Sequence, residues 1–300
     1  MTQIEIPGDQ MQGEPQAIKT SALYVVATPL GNLADISLRA LDVLRRVDAI
    51  ACEDTRHTAR LMQRYGIQTR LFALHEHNEA AAAQKLIQLL SAGKAIALVS
   101  DAGTPAVSDP GARAVALVRE AGYDVVPIPG ANAAIAALSA GGVLDAHFLF
   151  YGFLPTKPVA RRKAIESLKT TLAALVFYEA PHRVVETVAD LAEVLEPQRT
   201  LVIARELTKL FETIVTLPLS DAPAWLAADD NRQRGEFVLI VSATPPSSDV
   251  PPETLRMLNL LMQELPLKQA VKLAAEISGE SRNVLYDIAL EQKDQIGGRV

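Results

Sequence analysis

The most constraining feature of the sequence is a regular alternation of short apolar segments with helical patterns. Between the first two segments, apolar residues from Ile36 to Val47 keep the spacing i, i+4, i+7, i+8, i+11 of one helical face. Short, almost continuously apolar segments are typical of strands that helices cover on both faces, so we predict a mostly parallel sheet. Its strands are expected at residues 23–28, 49–53, 70–75, 95–101 and 124–128.

A second series of strand segments follows in the chain. Residues from Val184 to Leu195 give a helical pattern between the second and the third segment. Only Lys209 and Leu210 separate the third from the fourth, which is too short for a parallel crossover and predicts an antiparallel hairpin. We therefore expect an α/β protein with two α/β domains, residues 21–145 and 146–244, the second with a mixed sheet. Its strands are expected at residues 147–152, 174–179, 200–208, 211–217 and 236–242.

Both ends of the chain differ in composition from these two domains. Residues 1–20 combine proline, glycine, glutamine and acids without apolar periodicity, which predicts a disordered leader. The proline-rich residues 245–252 predict a stiff linker. Beyond it we expect a small helical domain, residues 253–295, that resembles a helix-turn-helix, with helices at 253–264, 267–277 and 282–290.

Composition excludes several classes of protein. Cys52 is the only cysteine, so an intramolecular disulfide and a zinc site with several thiolates are excluded, and no metal is expected. The sequence has neither a signal peptide nor a run of about 20 apolar residues, which predicts a cytoplasmic protein without membrane attachment. A net charge of −6 means that any nucleic-acid contact must be local. Lys157 to Lys169 is one candidate, and a solvated helix face is the alternative.

Three loops that follow predicted strands are rich in proline and glycine. In a parallel sheet, the crevice that binds ligands lies beyond the carboxyl ends of the strands. Gly103 and Gly130 permit close approach to the backbone, and the prolines restrict the loops before a ligand binds. We predict a preorganised ligand site here, with ordinary strand-to-helix turns as the alternative. The loops are A-T-P-L-G-N-L-A-D (27–35), S-D-A-G-T-P (100–105) and P-I-P-G-A-N-A-A (127–134).

Polar side chains follow two further predicted strands, in E-D-T-R-H (53–57) and H-E-H-N-E (75–79). In an extended segment Glu76 points away from its histidine neighbours, so a metal site is not the favoured interpretation. Acids, an arginine and histidines at this edge could orient a polar substrate or accept its proton. The candidate catalytic residues are therefore Asp54, Arg56, His57, His75 and Glu76.

Common nucleotide-binding fingerprints are missing: neither G-x-G-x-x-G after a strand nor a P-loop is present. Ser139 lies in A-L-S-A-G, which is similar to the nucleophile elbow of hydrolases. That serine falls within or just after a predicted helix, so we interpret it as a packing or capping residue.

Taken in order, these motifs resemble those of the tetrapyrrole-methylase-like (class III) methyltransferases. The resemblance runs from about Leu23 through the tail, and it is closest to the branch that methylates the 2′-oxygen of a cytidine in small-subunit (16S) ribosomal RNA. It implies the tetrapyrrole methylase fold, S-adenosylmethionine as cofactor, the small ribosomal subunit as partner and a homodimer. The matches are T-P-L-G-N-L-A-D-I (28–36), E-D-T-R-H-T (53–58), S-D-A-G-T-P (100–105), D-P-G (109–111), P-G (129–130), F-Y-E-A-P-H-R (177–183), A-R-E-L-T-K (204–209) and G-E (235–236).

The resemblance also implies a place for the cofactor, folded between the two α/β domains and held largely by backbone. Asp101 would be the partner of a polar group of the cofactor. Members of the family often carry a serine after the proline-glycine pair, where this chain has Ala131 and Asn132. Carried onto matching positions, the cofactor residues are Leu30, Asp101, Ala102, Gly103, Thr104, Pro105, Gly130, Ala131, Asn132, Ala133, Phe177, Tyr178, Ala204, Arg205, Glu206, Leu207, Glu236 and Phe237.

Three other functions compete with RNA methylation. A corrin-precursor C-methyltransferase would share fold and cofactor, but the helical tail and the segment 53–57 argue against it. A non-enzymatic ligand sensor would use the tail to bind DNA. Residues 250–300 hold six Lys/Arg and seven Asp/Glu, and this charge balance does not favour binding of a polyanion such as DNA. A hydrolase would need Ser139 as its nucleophile.

Overall fold

The structure, a computed structural model, describes residues 17–75, 79–244 and 250–297. The chain divides into two compact units, residues 1–243 and residues 244–300. Most of the leader expected at residues 1–20 lies outside the described residues, as do residues 245–249 of the expected linker. The first unit contains both predicted sheets.

The first sheet is parallel throughout, as the apolar alternation predicts. Its strand order is β3-β2-β4-β1-β5, and every neighbouring pair runs in the same direction. The strands are β1 (Ala22–Val26), β2 (Ala49–Cys52), β3 (Arg70–Ala73), β4 (Ile96–Val99) and β5 (Asp124–Ile128). The helices are α1 (Leu38–Arg46), α2 (Thr55–Arg64), α3 (Glu79–Ser91), α4 (Ala112–Glu120) and α5 (Ala133–Ala140).

Helices cover both faces of this sheet. Alternate residues of β1 point to opposite sides, so Tyr24 packs with α1 and α2 whereas Leu23 packs with α3 and α4. Side-chain caps fix the starts of three helices: Ser37 caps α1, Asp54 caps α2 and Asn132 caps α5. Because α2 and α5 begin soon after β2 and β5, their first turns lie at the carboxyl edge of the sheet.

The second sheet is mixed, and its order is β6-β7-β10-β8-β9. Only β6 and β7 pair in parallel, and β8 and β9 form the expected antiparallel hairpin. One face packs against α6, α7 and α8, whereas the other packs against α5 of the first domain. The elements are β6 (Phe148–Phe153), β7 (Ala174–Glu179), β8 (Thr200–Arg205), β9 (Thr213–Pro218), β10 (Phe237–Val241), α6 (Pro158–Leu168), α7 (Val184–Val194) and α8 (Ala222–Ala227).

The basic run from Lys157 to Lys169 lies largely on α6, where α7 neutralises two of its cations. Arg161 is 2% exposed and its Nε donates to Asp190 Oδ2 at 2.5 Å. Arg162 pairs with the same carboxylate and with Glu193. These two guanidinium groups hold the two helices together, so the run offers less free positive charge than its sequence indicates.

The described residues of the second unit form three helices, α9 (Pro252–Glu264), α10 (Leu267–Ser278) and α11 (Arg282–Gly297). Leu258, Val271 and Leu285, one from each helix, lie in its small apolar core. Gly279 ends α10 in the left-handed conformation with φ 76°, as expected of a glycine in the turn between two helices. Helix α9 starts at Pro252, a position inside the expected linker, because proline suits the first turn of a helix.

Candidate active site

The loops after β1, β4 and β5 are bonded to one another at the carboxyl edge of the first sheet. The backbone N–H groups of Thr28 and Gly103 each donate to the carbonyl of the other at 2.9 Å. Thr28 Oγ1 donates to Ser100 O at 3.1 Å, and Thr104 Oγ1 donates to Ala131 O at 2.9 Å. Since β4, β1 and β5 are neighbours in the sheet, these bonds join the three loops into one rigid wall.

Two glycines permit this close packing of the loops. A Cβ atom added to Gly130 would lie 2.8 Å from the Cβ of Ala27, closer than real carbon atoms approach. Gly103 has φ +81°, and a Cβ there would lie 3.3 Å from Cδ2 of Leu30. Both positions therefore require glycine: Gly130 because a side chain has no space, and Gly103 because of its backbone conformation and the nearby Leu30 side chain.

A cavity of about 370 Å³, here named the first cavity, lies between these loops and the second sheet. Its volume falls in the range of ~300–1,000 Å³ that is usual for small-molecule sites. The predicted cofactor residues that line it are Leu30, Asp101, Ala102, Gly103, Thr104, Asn132, Ala133, Tyr178, Ala204, Leu207, Glu236 and Phe237.

Three predicted cofactor residues support the loop wall instead of lining the first cavity. Pro105 is buried. Gly130 packs on Ala27, and Ala131 accepts the hydrogen bond from Thr104. Asn132 does line the cavity, and its Oδ1 accepts from Ile135 N at 3.1 Å, so this side chain caps α5 where family members often have a serine.

The three other predicted cofactor residues that do not line the first cavity lie in the second sheet. Phe177 is fully buried on the opposite face of β7, because it alternates with Tyr178. Arg205 donates to the carbonyls of Arg234 and Phe211. Glu206 has a φ of 50° and forms an ion pair with Lys209.

Several further residues line the first cavity, although we did not predict them as cofactor residues from the sequence. Most belong to motifs already noted: one to the E-D-T-R-H segment, one to D-P-G and three to F-Y-E-A-P-H-R. The remaining three could have been found only from the fold, since strand alternation and loop path decide which side they face. They are Glu53, Val107, Asp109, Phe153, Glu179, Ala180, Pro181 and Val238.

Three of the carboxylates that line the first cavity influence one another. Burial raises the pKa of Glu53, and the charges of Asp101 and Asp109 raise it further. Burial likewise raises the pKa of Asp109; a hydrogen bond with Ser100 opposes this rise, whereas the charge of Asp101 adds to it. Crowded acids of this kind are stabilised by a positively charged ligand.

An aromatic wall faces these acids. The ring of Tyr178 packs edge-on against Phe150 and Phe153, with centroid distances of 4.9 and 5.7 Å. The Tyr178 hydroxyl accepts a hydrogen bond from Ala134 N at 3.2 Å, which fixes the ring, and burial raises its pKa. The cavity therefore joins an apolar aromatic surface to a negatively charged one.

A second cavity, of about 530 Å³, adjoins the first. The two have four residues in common: Leu30, Asp101, Ala102 and Glu236. The other residues that line the second cavity are Pro29, Gly31, Leu33, His57, Arg60, Leu61 and Lys209. Two neighbouring cavities with a common wall are suited to holding two reactants side by side.

Lys209 lines the second cavity and is held by two carboxylates. Its Nζ donates to Glu206 Oε1 and to Glu236 Oε2, each at 2.8 Å. Burial alone would lower the pKa of Lys209, but the two hydrogen-bonded carboxylates outweigh it and raise the pKa. Lys209 is therefore a fixed cation at neutral pH. A Cβ at Gly31 would lie 2.3 Å from its Cγ, so glycine leaves room for this side chain.

The five predicted catalytic residues lie in different surroundings. His57 is exposed and lines the second cavity. Hydrogen bonds from Arg56 lower the pKa of Asp54 to about 2, and Asp54 N donates to Asp101 Oδ1 at 3.2 Å. Arg56 itself is 87% exposed. His75 is partly buried just beyond β3, and Glu76 lies outside the described residues.

Other chemistry considered from the sequence receives little structural support. Ser139 Oγ donates to Ala136 O at 2.8 Å within α5 and is exposed, as a capping or packing residue would be. The described part of the chain contains no group of histidine, cysteine and acidic side chains that could hold a metal ion. No described helix is both long and apolar enough to cross a bilayer.

Comparison with protein families gives two matches. Residues 22–223 match the Tetrapyrrole (Corrin/Porphyrin) Methylases, and residues 248–293 match the RsmI C-terminal HTH domain. The first match includes both sheets except β10, and the second includes most of the C-terminal helices.

Curated relatives of similar length carry one shared name. The chain is 52% identical to Ribosomal RNA small subunit methyltransferase I of Escherichia coli O157:H7, over 90% of this chain and 95% of the relative. It is 49% identical to the protein of that name from Pseudomonas aeruginosa, over 92% and 99% of the two chains. The protein of that name from Vibrio cholerae is 50% identical over 90% and 94%.

Solved structures share the fold at lower identity. Uroporphyrin-III-C-methyltransferase from Thermus thermophilus superposes with a TM-score of 0.54 and 21% identity, covering 75% of this chain and 95% of the other. Diphthine synthase superposes with a TM-score of 0.56 and 19% identity, covering 74% and 90%. At these identities the likeness concerns the fold alone.

Proposed function

Because the chain belongs to the tetrapyrrole methylase family, we propose that it transfers a methyl group from S-adenosylmethionine to the ribose 2′-oxygen of a cytidine in 16S ribosomal RNA. Relatives that are about half identical to this chain, over almost their whole length, carry the name Ribosomal RNA small subunit methyltransferase I. The observation that carries the proposal on the structural side is the meeting of two cavities at one wall.

The first cavity fits S-adenosylmethionine in size and in chemistry. Tyr178, Leu207 and Val238 offer an apolar surface for a purine. The loop carboxylates, among them Asp101, suit the cationic part of the molecule, and Gly103 leaves the backbone open to a close ligand. When bound, this cofactor supplies an activated methyl group on a positively charged sulfur.

The protein's own task is then alignment of donor and acceptor. The hydrogen bonds that join the loops around Thr28 and Gly103 restrict the shape of the first cavity, so little ordering is needed on binding. The wall at Leu30, Asp101 and Ala102 separates the two cavities and is where an acceptor oxygen in the second cavity would face the first. Such placement of reacting groups can lower a barrier by about 7–11 kcal/mol.

A ribose hydroxyl is a weak acid, so a group that accepts its proton belongs in the second cavity. Among the five catalytic candidates, His57 lines that cavity and is the one best placed to touch the acceptor. Asp54 and Arg56 neutralise each other, and Asp54 bonds through its backbone to Asp101, so we propose that they position the loop. His75 and Glu76 remain candidates for the catalytic role, and Glu76 lies outside the described residues.

The alternatives fit the chain less well. Corrin methylation is suggested by the description of the family and by distant structures at 14–21% identity, whereas the relatives at about half identity are named for ribosomal RNA. Hydrolysis by Ser139 lacks a site, since its hydroxyl is bonded within α5 at the helix surface. A DNA-binding sensor would leave the second cavity without a purpose.

We also propose that the protein works in the cytoplasm on the small ribosomal subunit and forms a homodimer. Edge strand β6 exposes Phe148, Leu149 and Tyr151 to solvent, at 49%, 39% and 38%. Large apolar side chains at an open sheet edge favour association, and a second copy of the chain would cover them.

The decisive experiment is methyl transfer from labelled S-adenosylmethionine to small ribosomal subunits isolated from a strain without this enzyme. The proposal expects label in 16S RNA and none in subunits from the parent strain, whose sites are already methylated. Label on a corrin precursor with unlabelled RNA would contradict it.

A further inference from the structure

Helix α2 presents an unusual charge pattern. It contains Arg56, His57, Arg60 and Arg64, and no acidic residue. His57, Arg60 and Arg64 follow the spacing i, i+3, i+7, which places them on one face of the helix, and all three are exposed. We name these three residues the α2 stripe.

The two arginines of the α2 stripe have no acidic side chain bonded to them among the described residues. Within the described part of the chain, neither Arg60 nor Arg64 forms an ion pair or a side-chain hydrogen bond, whereas Arg56 beside them is bound to Asp54. The contrast with α6 is clear, since Arg161 and Arg162 of that helix are neutralised by acids of α7. Two arginines without an acidic partner, in a chain of net charge −6, mark a place where an anion can bind.

The stripe begins at the proposed acceptor site. His57 and Arg60 both line the second cavity, and Arg64 lies one turn further along α2. Because α2 starts at the carboxyl edge of the first sheet and runs away from it, the stripe leads outward from the cavity to the surface. The remaining charged lining residues are Lys209 and Glu236, which are bound to each other, and Asp101.

We propose that Arg60 and Arg64 of the α2 stripe bind the phosphates of single-stranded ribosomal RNA next to the target nucleotide, with Arg60 holding the phosphate nearest the second cavity. The inference rests on the proposed function and names the surface that receives its substrate. A planar guanidinium binds a phosphate with two parallel hydrogen bonds, and an unpaired strand lets one nucleotide enter a cavity while its neighbours stay outside.

The test uses the full chain with Arg60→Ala, Arg64→Ala and the double variant, together with Arg60→Lys. Arg119→Ala is the matched control, because Arg119 is an exposed arginine in the last turn of α4, which packs on the face of the first sheet opposite to α2, and it lines neither cavity. The rate of methyl transfer to small subunits is measured against subunit concentration at several salt concentrations. Calorimetry with S-adenosylhomocysteine and thermal melting check the cofactor site and the fold.

Each alanine variant is expected to raise KM for the subunit about 3- to 10-fold, and the double variant more. The slope of log KM against log salt should fall by about one per lost phosphate contact, an effect that a purely structural role would not produce. Arg60→Lys should keep the salt slope and lose part of the affinity. Cofactor affinity and melting temperature should match those of Arg119→Ala.

If the parent protein methylates the RNA and the double variant keeps the wild-type KM and salt slope, this inference is overturned while the proposed function stands. Absence of methyl transfer to RNA by the parent protein would overturn the proposed function and the inference with it.

Discussion

Gly103 holds the loops of the first cavity together through its backbone. Its φ of +81° strains any other residue, and a side chain there would meet Leu30 beside the cavity. Gly103→Val is expected to weaken binding of S-adenosylhomocysteine at least tenfold, measured by calorimetry. Gly142→Val is the control, because Gly142 has φ +68° with open space around its Cβ position. Both variants should lose stability, and equal cofactor affinity in both would contradict the assigned cavity wall.

Substitution of Glu53 tests the electrostatic role of the carboxylates that line the first cavity. S-adenosylmethionine carries a sulfonium charge that S-adenosylhomocysteine lacks, so Glu53→Gln should weaken the first ligand roughly 3–10-fold more than the second. Competition binding of the two ligands measures the difference. Ser139→Ala, on the exposed face of α5, should change neither affinity.

The same carboxyl group predicts a pH dependence of stability. Its folded pKa is raised, so the folded state binds the proton more tightly than the unfolded state does, and stability falls as pH rises through the window above 4.5. Glu53→Gln should therefore stabilise the ligand-free protein at neutral pH and have little effect below pH 4. Thermal melting across this range measures it, and destabilisation at neutral pH would contradict the assigned environment.

Helices α6 and α7 depend on a buried ion pair. Asp190→Ala leaves Arg161 buried with one exposed partner, Glu186, and should cost about 3–5 kcal/mol in the free energy of unfolding. Glu193→Ala removes only an exposed partner of Arg162 and should cost less than about 1 kcal/mol. Denaturant unfolding compares the two, and equal losses would show that the pair is not buried in solution.

The positions of the strands could be predicted from apolar patterning, but several of their ends could not. The expected strands at 23–28, 95–101 and 200–208 end at Val26, Val99 and Arg205. The backbone leaves the ladder at these points although the chain stays close to its neighbours, as when Thr28 pairs with Gly103 across the loops. Glu206 and Thr208 turn with positive φ, which non-glycine residues rarely signal in sequence.

The candidate site was predictable in part for the same reason. Proline and glycine indicate which loops form the wall, because few residues permit their backbone conformations. Tyr178 and Phe177 point to opposite faces of the second sheet because neighbours alternate along β7. The sequence does not show which of these faces meets the loops, so it could not show that Tyr178 lines the cavity and Phe177 does not. The partners of Arg161 lie 25 and 29 residues away on another helix, so local sequence could not show that its charge is neutralised.

At the scale of the whole molecule, the proposed dimer makes β6 an interface. Phe148→Ser combined with Tyr151→Ser removes two exposed apolar side chains from this edge strand and should shift a dimeric protein toward monomer in sedimentation experiments. Val159→Ser on α6 is the control, because Val159 is 83% exposed and lies on a helix. A dimer that persists unchanged in the double variant would place the interface elsewhere.

The first unit holds both cavities within residues 29–238, so in the proposed reaction donor and acceptor would meet inside one compact body. The most direct test of the proposed transfer to a ribose 2′-oxygen is to methylate small subunits with S-adenosylmethionine that carries a deuterated methyl group, and then to digest the 16S RNA to nucleosides for mass spectrometry. We expect deuterium on the ribose of cytidine. Deuterium on a base, or on no nucleoside at all, would contradict it.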